Sequence, residues 1–465
     1  MKRILFVVAL ILSARVAGGQ ELSPDVRARI DRAADEALAA TGAPSASIAV
    51  VLNGQISYVY AYGKAQLESG KAATPEMRYS IGSVSKQFTA TAILMLAEQG
   101  RLSLDDSVGK YVDGLTRGNE VTIRQILSMT SGYQDYWPQD YVMPPMLQPT
   151  TPADIVKAWA GKPLDFEPGT RWQYSNTNYV IAGMIVEKLA GKPLVDFLGE
   201  RVFRPLKMLS VTNIDESPLG GDDPSRYLRY ALGPPRVAPK EGKGWLSAAG
   251  ELAMTARDLA TWDIAMIDQA LLKPASYRAM QTDTLLKSGV ATSYGLGVHV
   301  GLSQGRRVVS HTGEVSGFTT DNQVFPDDRA AVVVFANMDA TPATGQIAGR
   351  IAAAIFTAAD RETEQATEQA KKIFGELQHG RIDRSLFSAN ANAYFSEQAL
   401  TDFAASLGPL GSPESFVASP TGLRGGMVAR NYRIRAGGKS LSLTTFILPD
   451  GRLEQYQIAA GDARQ

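Results

Sequence analysis

The placement of strand-forming sequence constrains this chain most. Ser45–Leu52 and Ile56–Tyr62 are apolar or alternating runs, joined by Asn53-Gly54, a dipeptide suited to a tight hairpin. From about Leu102 to Thr282 the pattern turns to helices and loops. Strand character then returns in Tyr294–Val300, Arg307–Gly313, Gly317–Phe325 and Ala330–Asn337. Helical periodicity brackets the region, with Val26, Ile30, Ala33, Ala34 and Leu38 on one face of Ser23–Thr41, and with Gly345–Ala358 at the far end. The expected fold class is α/β in the α+β sense. One antiparallel sheet is formed by both ends of the region, flanked by helices, with an inserted mainly helical subdomain and a cleft between them.

Ser83-Val84-Ser85-Lys86 stands where an apolar-periodic helix begins, with Phe88, Ala92, Met95 and Leu96 at helical spacing and Gly100 closing the run. A Ser and a Lys three residues apart share one face of the first turn, beside the free N–H groups and positive end of the helix. A serine nucleophile needs those parts: a hydroxyl, an amine to take its proton, and backbone donors. The pair alone is weak, because Ser-x-x-Lys arises by chance roughly once in a few hundred residues.

Two companions add weight. Tyr174-Ser175-Asn176 offers a phenol that can relay a proton and a carboxamide that can bind a carbonyl, though a plain helix N-cap reads the same way. His311-Thr312-Gly313 ends a strand with two hydrogen-bonding side chains and a glycine that admits close backbone approach, though a simple strand end would look alike.

Composition excludes more than it proposes. There is no cysteine, and the only histidines are His299, His311 and His379, widely spaced, so thiol chemistry and a zinc centre are not expected; no metal or other cofactor is called for. Lys+Arg and Asp+Glu are both 47, which offers no basic field for nucleic acid. Lys2 and Arg3 followed by the apolar run Ile4–Leu12 and the small residues Ala17-Gly18-Gly19 read as a signal peptide over 1–19, implying a periplasmic or secreted protein without a stable membrane anchor.

The three motifs, in this order, resemble the serine β-lactamase and penicillin-binding-protein superfamily, nearest its class C β-lactamase-like branch of esterases and D-amino-acid peptidases. Val121–Gly132, Phe166-Glu167-Pro168-Gly169, Ser247–Leu252 with Thr255–Leu259, and Tyr294-Gly295-Leu296-Gly297 match further segments of that family. The resemblance implies that Ser83 is acylated, that Lys86 takes or shares its proton, and that Tyr174 serves as base and acid at the leaving group. It also implies that Asn176, His311, Thr312 and Gly313 line the substrate site, and that the backbone N–H groups of Ser83 and Glu314 form an oxyanion hole. Met129 departs from the family's usual His and Ala249 from a frequent Gly. His311 replaces the Lys of true β-lactamases and is mostly neutral near pH 7, which lowers the expectation of efficient penicillin hydrolysis.

The expected function is an exported serine hydrolase acting through an acyl-enzyme on small esters, amides or D-amino-acid peptides, peptidoglycan-derived ones included. The alternatives are a β-lactamase or D,D-carboxypeptidase, and a non-catalytic cell-wall-binding protein. The hydrolase domain is expected over 22–358. Residues 359–372 read as a linker or exposed helix without an apolar stripe. Residues 373–465 read as a separate α+β module, weakly similar in its helix-then-strands order to the cone-shaped fold of nuclear transport factors and ketosteroid isomerases. The aromatic loop Tyr133–Pro149 is expected to shape the pocket. Oligomeric state is not legible.

Overall fold

The structure, a computed structural model, describes residues 22–461 apart from Asp140, Asp360, Pro420, Thr421 and Gly426; the expected signal peptide lies outside the described residues. Six strands form one antiparallel sheet in the order Gln55–Gly63, Ser45–Leu52, Ala330–Ala336, Phe318–Phe325, Arg306–Val315 and His299–Ser303. The two ends of the region meet where Ser45–Leu52 pairs with Ala330–Ala336, Ile48 opposite Val334.

Both faces of this sheet are covered, which is why its central strands are apolar runs rather than alternating ones. Ile48, Val50, Val332 and Val334 point to one face, where helices Pro24–Thr41 and Ala343–Ala359 bring Val26, Ile30, Ile347 and Ile351. Ala49, Val51, Val333 and Phe335 point to the other, into a larger core with helices Ser85–Glu98, Asn176–Ala190 and Ala256–Ile267. With apolar side chains on both faces, polarity alone sets register weakly. The hairpin turn supplies it: Asn53 and Gly54 both take left-handed φ, 54° and 73°.

Some boundaries differ from expectation. Within Tyr294–Val300 the strand starts only at His299, and Tyr294–Val298 is irregular. The glycines explain it: a Cβ at Gly295 would lie 2.1 Å from the Met280 carbonyl, and one at Gly297 2.9 Å from the Lys86 carbonyl. Backbone passes too close there for a regular strand with side chains.

Residues 361–377 form a single helix, Arg361–Leu377, so the segment read as linker or exposed helix is helical and runs through the expected boundary at 372. Its apolar stripe is Ala370, Ile373, Phe374 and Leu377, mostly beyond the charged stretch that hid it. These residues pack with Tyr432, Ile434, Leu443, Leu453 and Tyr456 in a core of their own. The module's sheet contains Met427–Ala436, Lys439–Ile447 and Leu453–Ala460, as expected from alternation. It also contains the short strands Ser415–Ala418 and Gly422–Arg424, whose brevity left no period to read.

Candidate active site

Ser83 sits in a single 3-10 turn, Gly82–Val84, that feeds the helix Ser85–Glu98. All residues from Ser85 to Leu96 are buried, so this helix is the centre of the core and not an amphipathic surface element. Two glycines let the strand Arg306–Val315 press against the turn. A Cβ at Gly82 would lie 2.7 Å from the Glu314 nitrogen; one at Gly313 would lie 2.0 Å from the Ile81 carbonyl and 3.3 Å from the Ser83 nitrogen. The backbone at Gly82–Ser83 therefore runs directly against the backbone at Gly313–Glu314. Gly313 acts through this close approach and does not line the cleft, whereas Thr312 and Glu314 do.

Lys86 is 0% exposed. Its Nζ lies 2.8 Å from Ser83 Oγ and donates to the Ala249 carbonyl at 2.9 Å. Burial lowers the ammonium pKa to about 7, with the charge of Asp135 opposing the shift. A neutral amine can then accept the Ser83 proton near neutral pH. The Tyr174 ring stands 5.0 Å from Lys86 Nζ. Its hydroxyl is buried, with the Ser83 hydroxyl as its polar neighbour. Burial raises its pKa, while the nearby Ser83 hydroxyl offsets part of the rise, so the phenol stays protonated at working pH.

Asn176 opens the helix Asn176–Ala190, and Ser175 occupies the cap position without a side-chain capping bond. Asn176 does not point its amide freely at substrate. Its backbone N and its Nδ2 both donate to Asp135 Oδ1, at 2.9 and 3.2 Å. Met129, left-handed at φ 61°, lies beneath: its Sδ accepts from the Ser175 nitrogen at 3.4 Å and from Asn178 Nδ2 at 3.5 Å. The departure from His thus lies directly against the segment that follows Tyr174.

His311 is 2% exposed, with Nε2 3.0 Å from the Tyr294 hydroxyl. Burial, with help from the Lys86 charge, pushes its pKa well below the usual value, so the ring is neutral. The His299 ring lies near it, ring centres 5.3 Å apart and tilted by 51°, and burial lowers its pKa too.

Ser83, Asp135, Tyr174, Asn176, His299 and His311 border one cleft of about 730 Å³, with Lys86 buried behind Ser83. Its walls include Tyr136, Trp137 and Tyr141 from the expected aromatic loop, together with Trp172. Asp135, Trp172 and His299 belong to the site but were not read from sequence. Asp135 had one signal: it sits in a loop, Tyr133–Pro149, that holds no Lys or Arg to pair with it. Among the described residues the cleft is lined by three carboxylates, Asp135, Glu314 and Asp339, and by no Lys or Arg side chain. No group of metal-ligating side chains occurs among the described residues.

A beta-lactamase family profile matches residues 30–355. The D-aminopeptidase of Brucella canis is 28% identical over 311 residues, covering 64% of this chain and 57% of its own length, so the chain spans little more than half of that relative. Protein flp of Staphylococcus aureus is 27% identical over 330 residues, covering 68% of this chain and 64% of its own. Among solved structures, a D-stereospecific amidohydrolase from Streptomyces sp. is 28% identical with a TM-score of 0.61, covering 69% of this chain and 96% of that one. The octameric penicillin-binding protein homologue from Pyrococcus abyssi, 21% identical at a TM-score of 0.61, covers 93% of this chain and 99% of that one, a likeness of fold that extends past the catalytic region. In motif order, sheet topology and the Ser83–Lys86 pair, the chain belongs to the beta-lactamase family of serine hydrolases.

Proposed function

We propose that this protein is an exported serine hydrolase that cleaves amides or short peptides of D-amino acids carrying a free α-amino group, through an acyl-enzyme on Ser83. The carrying observation is the charge of the cleft: three carboxylates and no Lys or Arg among the described lining residues. Such a wall attracts an ammonium and repels the carboxylate of a penicillin or of a D-Ala terminus. Neutral His311 supplies no cation in its place. The relatives named for D-aminopeptidase and D-stereospecific amidohydrolase activity support the reading. The apolar run after Lys2 and Arg3 supports export.

In this mechanism the substrate carbonyl lies against the Ser83 and Glu314 amides. Lys86 takes the Ser83 proton as Oγ attacks, and the amides hold the oxyanion of the tetrahedral intermediate. The buried Tyr174 hydroxyl faces the leaving nitrogen and passes it a proton, replaced from Lys86. Water then repeats the sequence on the ester. Asp135, held by Asn176, faces the substrate ammonium. With Ser83, Lys86 and Tyr174 all in reach of one another, a binding-only protein is the poorer reading.

The test is hydrolysis of D-alanine p-nitroanilide beside its L enantiomer, its N-acetyl derivative and a penicillin, with intact mass followed on wild type and Ser83→Ala. Preference for the free-amine D substrate, with a Ser83-dependent adduct, is expected. Faster turnover of the N-acetyl compound or of penicillin would overturn the substrate assignment.

A further inference from the structure

The base of the reaction is held by a backbone carbonyl, and that carbonyl belongs to a strained turn. Lys86 Nζ donates to Ala249 O at 2.9 Å. The preceding residue, Ala248, is left-handed at φ 57°, a conformation that costs a residue with a Cβ on the order of 1 kcal/mol. Space for it comes from Gly183, where a Cβ would meet that of Ala248 at 2.4 Å. Its carbonyl accepts from Thr89 Oγ1 at 2.7 Å, which ties the turn to the nucleophile helix.

The Ala248 N–H is directed to a carboxylate. Glu251, 7% exposed, accepts it on Oε1 at 2.9 Å and accepts Asn213 Nδ2 on Oε2 at 3.1 Å. Burial pushes the Glu251 carboxyl up to about 7, with the Ala248 and Asn213 donors pulling it back and the acidic Asp215 and Glu187 adding to the rise. A buried carboxylate close to other acids is costly unless it holds something, and what Glu251 holds is the Ala248 N–H.

We propose that Glu251 is a positioning residue: by anchoring the Ala248 N–H it locks the 248–249 turn and so keeps the Ala249 carbonyl on Lys86 Nζ, which in turn aims the amine at Ser83. The proposal rests on reading Lys86 as the base. A shift of the amine by about 1 Å is enough to cost on the order of 100-fold in rate. Losing the carbonyl also has a signed effect on the amine. A carbonyl acceptor favours the ammonium form, so its loss lowers the Lys86 pKa further.

The test uses the full chain and p-nitrophenyl acetate, whose burst counts acylatable sites. Glu251→Ala is expected to lower acylation per titrated site by ~10- to 100-fold with KM changed less than ~3-fold, and to move the acid limb of the pH profile to lower pH. Glu251→Gln, which retains an acceptor for the Ala248 N–H, is expected to keep most of the rate. Asn213→Ala, which frees one Glu251 oxygen, shifts rate and limb in the same direction by less, and decides the matter with Glu251→Gln if Glu251→Ala does not fold. Variants with fewer titratable sites but wild-type rate and pH limb per site would overturn the proposal, since that is a purely structural role. A burst that persists in Ser83→Ala would instead overturn the nucleophile assignment on which it rests.

Discussion

Asn176 holds both oxygens of Asp135: its backbone N–H donates to Oδ1 at 2.9 Å, and its side-chain amide donates to Oδ1 at 3.2 Å and to Oδ2 at 3.3 Å. The carboxamide read from sequence as a substrate ligand is thus first a holder of a carboxylate. Burial raises the Asp135 pKa, while the Trp137 and Asn176 donors and the Lys86 charge pull it back.

Asp135→Asn keeps the shape and removes the charge. It is expected to lower kcat/KM for free-amine D-aminoacyl amides by about 10- to 100-fold, and for N-acetyl or simple ester substrates by far less. Because the Asp135 charge holds the Lys86 pKa up, the acid limb should also move to lower pH. Equal losses on charged and capped substrates would argue against ammonium recognition.

Lys86 links activity to stability. With its pKa near 7, the rate should rise with pH through that value as the amine loses its proton, and the phenol of Tyr174 should add no limb below it. The stability sign follows from the same shift. A lysine with a lowered folded pKa is fully compensated only above its unfolded value near 10.5, and its burial costs more as pH falls toward 7. Lys86→Met should abolish turnover, by roughly 1,000-fold or more, yet raise stability at neutral pH by about 2 kcal/mol. A variant that is both inactive and less stable in denaturant melts would contradict this.

His311→Lys would not convert the site to penicillin hydrolysis. His311 is almost fully buried in the cleft wall, bonded to Tyr294 and faced by the Lys86 charge, so a second ammonium there meets repulsion and little solvent. The expected outcome is a stability loss of about 3 kcal/mol and no penicillin adduct by intact mass. A stable variant that hydrolyses penicillin would refute it.

A buried polar chain runs beside the site. Trp262 Nε1 donates to Gln87 Oε1 at 2.9 Å, Gln87 Nε2 donates to Asn322 Oδ1 at 3.0 Å, and Asn322 Nδ2 donates to both Asp263 oxygens at 2.9 and 2.8 Å. Asp263 is 0% exposed and burial raises its pKa well above 3.8. The folded state therefore holds the proton more tightly than the unfolded chain, and its stability falls as pH rises above 3.8 toward the folded value. Asp263→Asn should remove that slope, so its stability relative to wild type should increase between pH 4 and pH 8 in urea melts. A constant difference across that range would show that Asp263 does not titrate this way.

The sequence by itself determined the central sheet strands, through unbroken apolar runs and the Asn53-Gly54 turn, and it pointed to Ser83, Lys86 and Tyr174 as candidates, because residue type and short spacing are local properties. It placed His311, but not the burial that makes His311 neutral. Only the tertiary structure decided the depressed Lys86 pKa, the carboxylate wall of the cleft and the seat of the Lys86 amine on the Ala249 carbonyl. Each of those depends on desolvation or on contacts between segments 41 to 163 residues apart, such as Asp135 with Asn176 and Lys86 with Ala249. Such contacts leave no periodic trace in the chain, since no local pattern is needed to form them once the sheet has closed.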